Sequence, residues 1–309
     1  MRFLFVDRIS ELETGRRVRA VKNISWYGDF LVEIFPGLPV FSPVIAAEAA
    51  AQALSWLIVE ARDFTVKPLI TMLDSYICSR HIQPGDQIEL EGAVESFQPE
   101  SALAHARILL NKKPAAEINH GVCYLYPLHE LQDPESARRQ FKNLTEYQAP
   151  LQQVPMVKTG LPQGEVSSLV TRPWVDRVIE YAAGKKIVGI RNVTSTEDYF
   201  RDHFPLKPLL PGVIIMESLI STAQLLIEPI LAANGLGSKK AVLTQATKVK
   251  FRKFVQPGDQ LLLEVSLESF HPQSSTIKAR ALIQDKVAAT LSAAFQHLSR
   301  DEYIKAYLA

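Results

Sequence analysis

The feature that most constrains this chain is that it contains itself. "FVDRISELETGRRVRAVKNIS" from Phe5 aligns with "WVDRVIEYAAGKKIVGIRNVT" from Trp174 at a constant offset of 169 residues. The same offset carries Asp29 onto Asp198, Pro36 onto Pro205, Pro39 onto Pro208 and Glu48 onto Glu217 without a gap. Further along, "IQPGDQIELEGAVESFQP" from Ile82 matches "VQPGDQLLLEVSLESFHP" from Val255 at an offset of 173, the four extra residues fitting the loop around "NGLG" (Asn234–Gly237). Two long matched blocks in one order describe a pair of related domains, not a solenoid of short repeats. At 309 residues, each copy has enough chain for its own core. The expected units are 1–128, a linker over 129–170, and 171–309. The linker is rich in Pro, Gln and charge, with weak periodicity. Its Asn143-Leu144-Thr145 sequon is read as chance.

Each copy repeats one order of elements. A basic strand-like stretch (Arg16–Ile24; Lys185–Val193) precedes a Pro-rich turn segment, then one long apolar helix follows, from about Val44 to Ala61 and from about Val213 to Leu231. Alternating runs such as "QLLLEVSLESF" (Gln260–Phe270) and "STIKARALIQ" (Ser275–Gln284) read as strands, with a Pro-Gly-Asp turn before the first. One buried helix with several mostly antiparallel strands is an α+β arrangement, the helix lying across the concave face of a curved sheet.

A net charge of +1 argues against a general nucleic-acid or membrane-surface role. Cys78 and Cys123 stand far apart with no Cys-x-x-Cys, which fits a reducing compartment and supports neither a disulfide framework nor a thiolate metal site. The N-terminus lacks the pattern of a signal peptide, and the two most apolar runs each contain a glutamate and are short for a membrane span. The cytoplasm is the expected location.

Differences between the copies point to chemistry. Glu48 sits in "VIAAEAAAQALSWL" with Gln52 one turn on, so both project from one helix face. A carboxylate there is costly unless paired, hydrogen-bonded or protonated; a structural acid and a functional one are equally compatible with it. His203 is followed by prolines at 205, 208 and 211, and Pro211-Gly212 opens the second long helix. Free N–H groups and the positive helix end can hold an oxyanion there, and Gly212 lets a substrate carbonyl approach the backbone. In the first copy, Ile34 and Pro43 replace His203 and Gly212; isoleucine moves no proton and Pro43 has no N–H. The second copy keeps Glu217 but has Ser221 where the first has Gln52. A site built across the pseudo-twofold axis from His203, Gly212, Glu48 and Gln52 is therefore complete, and the reciprocal site of Ile34, Pro43, Glu217 and Ser221 is dead.

"HFPLKPLLPGV" (His203–Val213), "EAAAQA" (Glu48–Ala53) and "FRKFVQPGDQLLLEV" (Phe251–Val265) resemble the motifs of bacterial β-hydroxyacyl–acyl carrier protein dehydratases of the hot-dog fold, over most of both copies. The resemblance implies a double hot-dog, each copy a curved antiparallel sheet wrapped around one long central α-helix. It implies that His203 is the catalytic histidine and Glu48 the acid. It also implies that the N–H of Gly212, helped by Val213, polarises the thioester carbonyl, that the carbonyl of Leu209 orients the histidine ring, and that Gln52 supports the acid. The expected reaction is dehydration of a 3-hydroxyacyl thioester to a trans-2-enoyl thioester in fatty acid or polyketide-type synthesis, with acyl carrier protein or acyl-CoA as partner. No metal or organic cofactor is required.

Three departures stand out. Leu206 replaces the glycine of the family's "HFPG"; the two hot dogs are fused with one plausible site; and the acid precedes the histidine, the reverse of modular polyketide synthase dehydratase domains. An acidic carrier protein calls for a basic rim, for which Lys248, Lys250 and Arg252 of "KVKFRKF" are the candidates, with Lys239 and Lys240 weaker; an ordinary solvated strand face fits these equally. The competing readings are a hot-dog acyl thioesterase and a non-catalytic acyl-binding protein, both less consistent with the set of His203, Gly212, Glu48 and Gln52. Glu48 tilts against isomerase activity, which goes with Asp at this position in some relatives.

Overall fold

A computed structural model describes residues 3–25, 30–146 and 174–308. Asp29 and the later part of the expected linker lie outside them. The first copy runs β1 (Arg8–Glu13), β2 (Arg17–Asn23), a small hairpin of β3 (Leu31–Glu33) and β4 (Pro39–Phe41), α1 (Pro43–Ala61), β5 (Val66–Cys78), β6 (Gln87–Phe97), β7 (Ser101–Leu110) and β8 (Lys113–Pro127). Helix α2 (Pro134–Glu146) follows, inside the segment expected as linker. The second copy runs β9 (Arg177–Ala182), β10 (Lys186–Asn192), α3 (Gly212–Ala233), β11 (Lys240–Phe251), β12 (Gln260–His271), β13 (Ser274–Ile283) and β14 (Lys286–Leu298). Two helical turns, Arg300–Tyr303 and Ile304–Leu308, end the chain.

All twelve long strands join one antiparallel sheet in the order β1-β2-β6-β7-β8-β5-β11-β14-β13-β12-β10-β9. The order reads the same from either end once copies are exchanged. The centre is the β5–β11 pair, where Ile77 faces Gln245 and Met72 faces Lys250, pairs that the offset of 173 converts into each other. The dyad of the duplication therefore passes through this ladder. Helix α1 packs on β5, β6 and β2, α3 packs on β12, β10 and β11, and the two helices touch. Both helices are long and apolar enough to cross a membrane, but most of each is buried under the sheet, as the core helix of a domain is.

Local chemistry explains the elements. The Pro-Gly-Asp turns before β6 and β12 place Gly85 and Gly258 at φ +97°, and Asp86 and Asp259 accept the N–H of Gln83 and Gln256 at 2.7 and 2.8 Å. The two helix starts differ. Ser42 caps α1 by accepting the N–H of Ile45, with Pro43 in the first turn. Its counterpart before α3 is Pro211, which offers no side-chain cap. Among the described residues, the N–H groups of Gly212 and Val213 consequently have no hydrogen-bond partner.

Helix α2 is amphipathic and docks on the first copy: Phe141 meets the rings of Trp56 and Phe64 at 5.9 and 5.5 Å, and Arg138 pairs with Asp63 at 2.9 Å.

Candidate active site

A cavity of about 620 Å³ opens between the copies. His203, Leu209, Gly212 and Val213 line it from the second copy, Glu48 and Gln52 from the first. Every residue singled out for the site is thus brought to one cavity.

The segment before α3 sets the histidine. His203 donates its backbone N–H to Tyr199 at 2.8 Å, and its carbonyl accepts the N–H of Leu209 at 3.0 Å. The ring Nδ1 lies 2.9 Å from the Leu209 carbonyl oxygen, so Nδ1 carries the proton and Nε2 is left with a lone pair. The ring stacks on Phe204 at 4.0 Å and meets the edge of Phe3 at 5.8 Å. The His203–Phe204 peptide is cis. Burial pushes the imidazole down to about 4, which keeps it neutral at neutral pH.

On α1, burial raises the Glu48 carboxyl to about 7, opposed by a hydrogen bond from Gln52 and the charge of Lys67. Gln52 Nε2 donates to Glu48 Oε1 at 3.0 Å and to the Phe3 carbonyl at 3.1 Å, while Gln52 Oε1 accepts the N–H of Phe5 at 2.8 Å. Phe3 in turn donates its N–H to Asp202, the neighbour of His203, at 2.8 Å. The N-terminal segment therefore ties the acid's support to the histidine's. Sequence reasoning missed this role, because the run "FLF" reads only as an apolar stretch.

Gly212 has a second reason to be glycine: a Cβ there would stand 2.8 Å from Phe251 Cζ. Phe251, Phe204 and Lys67 all line the cavity and were not foreseen. The basic residues differ from expectation. Arg252 lines the cavity, but it does so with Lys253 and Arg201, not with Lys248 or Lys250. Lys250 sits in the central ladder opposite Met72, and Lys248 has left-handed backbone at an interruption of the β11–β14 register, so alternation along β11 does not point them to the rim. Lys239 and Lys240 are engaged with Glu302 and Glu228.

The reciprocal position is filled by other contacts. Ser42 Oγ donates to Glu217 Oε2 at 3.1 Å, and Tyr76 donates its hydroxyl to the Pro43 carbonyl. Ile34 packs with Phe35 against Tyr303 and Tyr307 of the C-terminal turns. Tyr303 also bonds His81 Nδ1 at 2.7 Å. Burial raises Glu217 to about 7, as it does Glu48.

Comparison with known proteins agrees with this architecture. Residues 1–119 and 173–292 each match the model of the FabA-like domain. A 3-hydroxyacyl-[acyl-carrier-protein] dehydratase FabZ from Thermoanaerobacter sp. (strain X514) is 43% identical over 121 residues, 39% of this chain and 83% of that protein. Among solved structures, a putative oleoyl thioesterase from Lactobacillus plantarum aligns at TM-score 0.56 and 12% identity, covering 93% of this chain and 98% of the other. The bifunctional dehydratase-cyclase domain of ambruticin biosynthesis aligns at TM-score 0.52 and 11% identity, covering 99% of both chains. At such identities the structures speak for the shared hot-dog fold alone. The two matched segments span most of the sequence, and the chain belongs to the FabA-like family.

Proposed function

We propose that this chain dehydrates 3-hydroxyacyl thioesters on acyl carrier protein to trans-2-enoyl thioesters, in fatty acid or polyketide-type synthesis, at one site between the two halves of a double hot-dog. The copies 1–128 and 171–309 supply the acid and the histidine, with 129–170 as the connection. The observation that carries the reading is the meeting, in one cavity, of a neutral oriented imidazole, a buried carboxyl near neutrality and an unpartnered helix N-terminus. The 43% identity to a FabZ dehydratase supports it.

In this mechanism His203 Nε2 takes a hydrogen from the carbon next to the thioester, as a proton. The C–H electron pair moves toward the carbonyl, and the oxygen's growing charge is met by the Gly212 N–H, with that of Val213 beside it. The C–O bond at the third carbon then breaks, Glu48 gives its proton to the departing oxygen, and water leaves. Histidine ends protonated and Glu48 ionised; passage of one proton from His203 to Glu48 resets the site. The chemistry needs no metal or organic cofactor, since the phosphopantetheine arm arrives with the substrate. Hydrolysis would instead need a water held against the thioester carbonyl, and neither the thioesterase nor the acyl-binding reading gives the Leu209-oriented imidazole a task.

Arg201, Arg252 and Lys253 on the cavity rim, beside exposed Phe254 and Leu206, suit an acidic carrier protein with an apolar contact at its centre. The cytoplasm, where such carriers work, is the proposed location. The test is hydration of a short enoyl thioester on carrier protein and on CoA. Loss of turnover in both His203→Ala and Glu48→Gln is the expected outcome. Turnover that survives His203→Ala, or none by the parent on either carrier, would sink the reading.

A further inference from the structure

Of the polar groups lining the cavity that the mechanism leaves idle, two stand on the first copy's β5 and α1 without a hydrogen-bond partner among the described residues. Lys67, on β5, lines it, and its ammonium lies 5.1 Å from the Trp56 ring centroid and 6.0 Å from that of Phe204. Among the described residues this ammonium makes no hydrogen bond or ion pair. Glu48 is near enough to feel its charge but lies beyond ion-pair distance and is held by Gln52. Ser55, on α1 next to Trp56, also lines the cavity, and its buried hydroxyl has no hydrogen-bond partner.

The duplication supplies an internal control. Under the offset of 173 that the central ladder obeys, Lys67 corresponds to Lys240. Lys240 is satisfied by Glu228 of α3 at 2.8 Å. The α1 residue at the place of Glu228, 169 positions earlier, is Val59. The second copy thus gives this lysine a counter-ion from its own helix, and the first copy does not.

An ammonium facing a cavity without an acceptor is costly, as is a buried hydroxyl with none. A plain hydrocarbon tail would leave both costs standing. Glu48, Gln52 and Ser55 follow at helical spacing on one face of α1, and Ser55 lies seven residues past Glu48, about 10 Å along the axis at 1.5 Å per residue. That places Ser55 beyond the reacting end. Lys67, whose charge bears on both Glu48 and His203 and whose ammonium reaches the Trp56 ring beside Ser55, stands between the reacting groups and Ser55, so that the two flank the path of an acyl tail.

We propose that Lys67 and Ser55 form a subsite for a carboxylate carried on the acyl chain, so that the favoured substrates are 3-hydroxyacyl thioesters with an acidic tail. The assignment of the acyl path rests on the dehydratase reading; the subsite itself is a matter of binding. Burial lowers Lys67 to about 8, and an entering anion would secure its charged form.

The test measures binding of unreactive acyl-pantetheine amides by calorimetry, comparing tails of equal length that end in carboxylate, hydroxyl or methyl. The parent should bind the carboxylate tail about tenfold or more tightly than the methyl tail, the scale of a hydrogen bond to a charged group. Lys67→Met should reverse that order, Lys67→Arg should keep it, and Ser55→Ala should narrow it severalfold. Equal binding of the three tails by the parent, a hydroxyl tail bound as tightly as the acid, or a preference that persists in Lys67→Met each overturns the proposal. The matching 3-hydroxyacyl thioesters separate the two claims. A carboxylate preference in binding without turnover of any chain would keep the subsite and remove the dehydratase. Turnover of the methyl-tailed chain with no carboxylate preference would do the opposite.

Discussion

The two half-sites began as copies, and they differ in what surrounds nearly identical acids. Glu48 and Glu217 occupy the same position on α1 and α3, and burial raises both to about 7. One faces a histidine held by a backbone carbonyl and a helix start with free N–H groups. The other accepts the hydroxyl of Ser42, the cap of a helix opened by proline. A perturbed carboxyl therefore marks burial as readily as it marks catalysis. The distinguishing feature is unspent hydrogen-bonding capacity: the half with His203 leaves donors open toward a cavity, and in the half with Ile34 the hydroxyl of Ser42 is spent on Glu217.

The largest effect should come from transplanting the difference. Gly212→Pro removes the N–H and drives atoms into Phe251, whereas the first copy has Cys78 at the place of Phe251 and so tolerates Pro43. Gly212→Pro should cost about 10²–10³ in kcat and about 1–3 kcal/mol in stability. Adding Phe251→Cys should recover stability beyond additivity and leave kcat low, read from a double-mutant cycle in urea beside steady-state kinetics. Additive stabilities would break the claim that the two positions changed together.

The acids can be separated by pH. In the proposed mechanism dehydration needs neutral His203, present above about 4, and protonated Glu48, present below about 7, so kcat/KM should fall on both sides of that window. Glu217→Gln should leave the profile in place. It should change stability instead. A folded pKa near 7 against an ordinary 4.5 means stabilisation that is full below about 4.5 and lost as pH rises through 7. The parent should lose on the order of 1–3 kcal/mol between pH 5 and pH 8 for each buried acid, and Glu217→Gln should remove one share. Urea midpoints at the two pH values check this. A kinetic profile altered by Glu217→Gln would contradict the division of labour.

The smallest expected change in turnover is that of Ile34→His. The imidazole would enter a packed cluster, ahead of a helix whose first residue, Pro43, has no N–H to offer. Turnover in the His203→Ala background should stay at zero; any regained rate would show that the second half-site is only dormant.

Much of this was legible in the sequence because it is local or repeated. Helices α1 and α3 fall within two residues of their expected ends, since each is a long apolar run opened by proline. His203, Gly212, Glu48 and Gln52 stood out because the copies disagree at three of these four positions. What was not legible depends on contacts between distant segments. Phe3 reaches Asp202 across 199 residues, Tyr303 reaches His81 across 222, and neither carries a periodic signal. Lys67 looks like any strand lysine until its missing counter-ion is seen. Helix α2 hides in a polar stretch because its apolar face is narrow, Phe141 meeting rings from α1 and the turn after it. The edge strands β1 and β9 lie ahead of the strand-like stretches that the sequence shows, on the far side of the turns at Gly15 and Gly184.

The β5–β11 ladder has a consequence for concentration. In an enzyme assembled from two separate subunits, a site shared between them thins out as the protein is diluted. In the site proposed here both contributors travel on one polypeptide, and the seam between the copies is continuous sheet. Each half meets the other at the effective concentration of a tethered partner, whatever the bulk concentration. Turnover per molecule should therefore hold constant down to the scarcest expression level, a property that two loose copies of either half would lack.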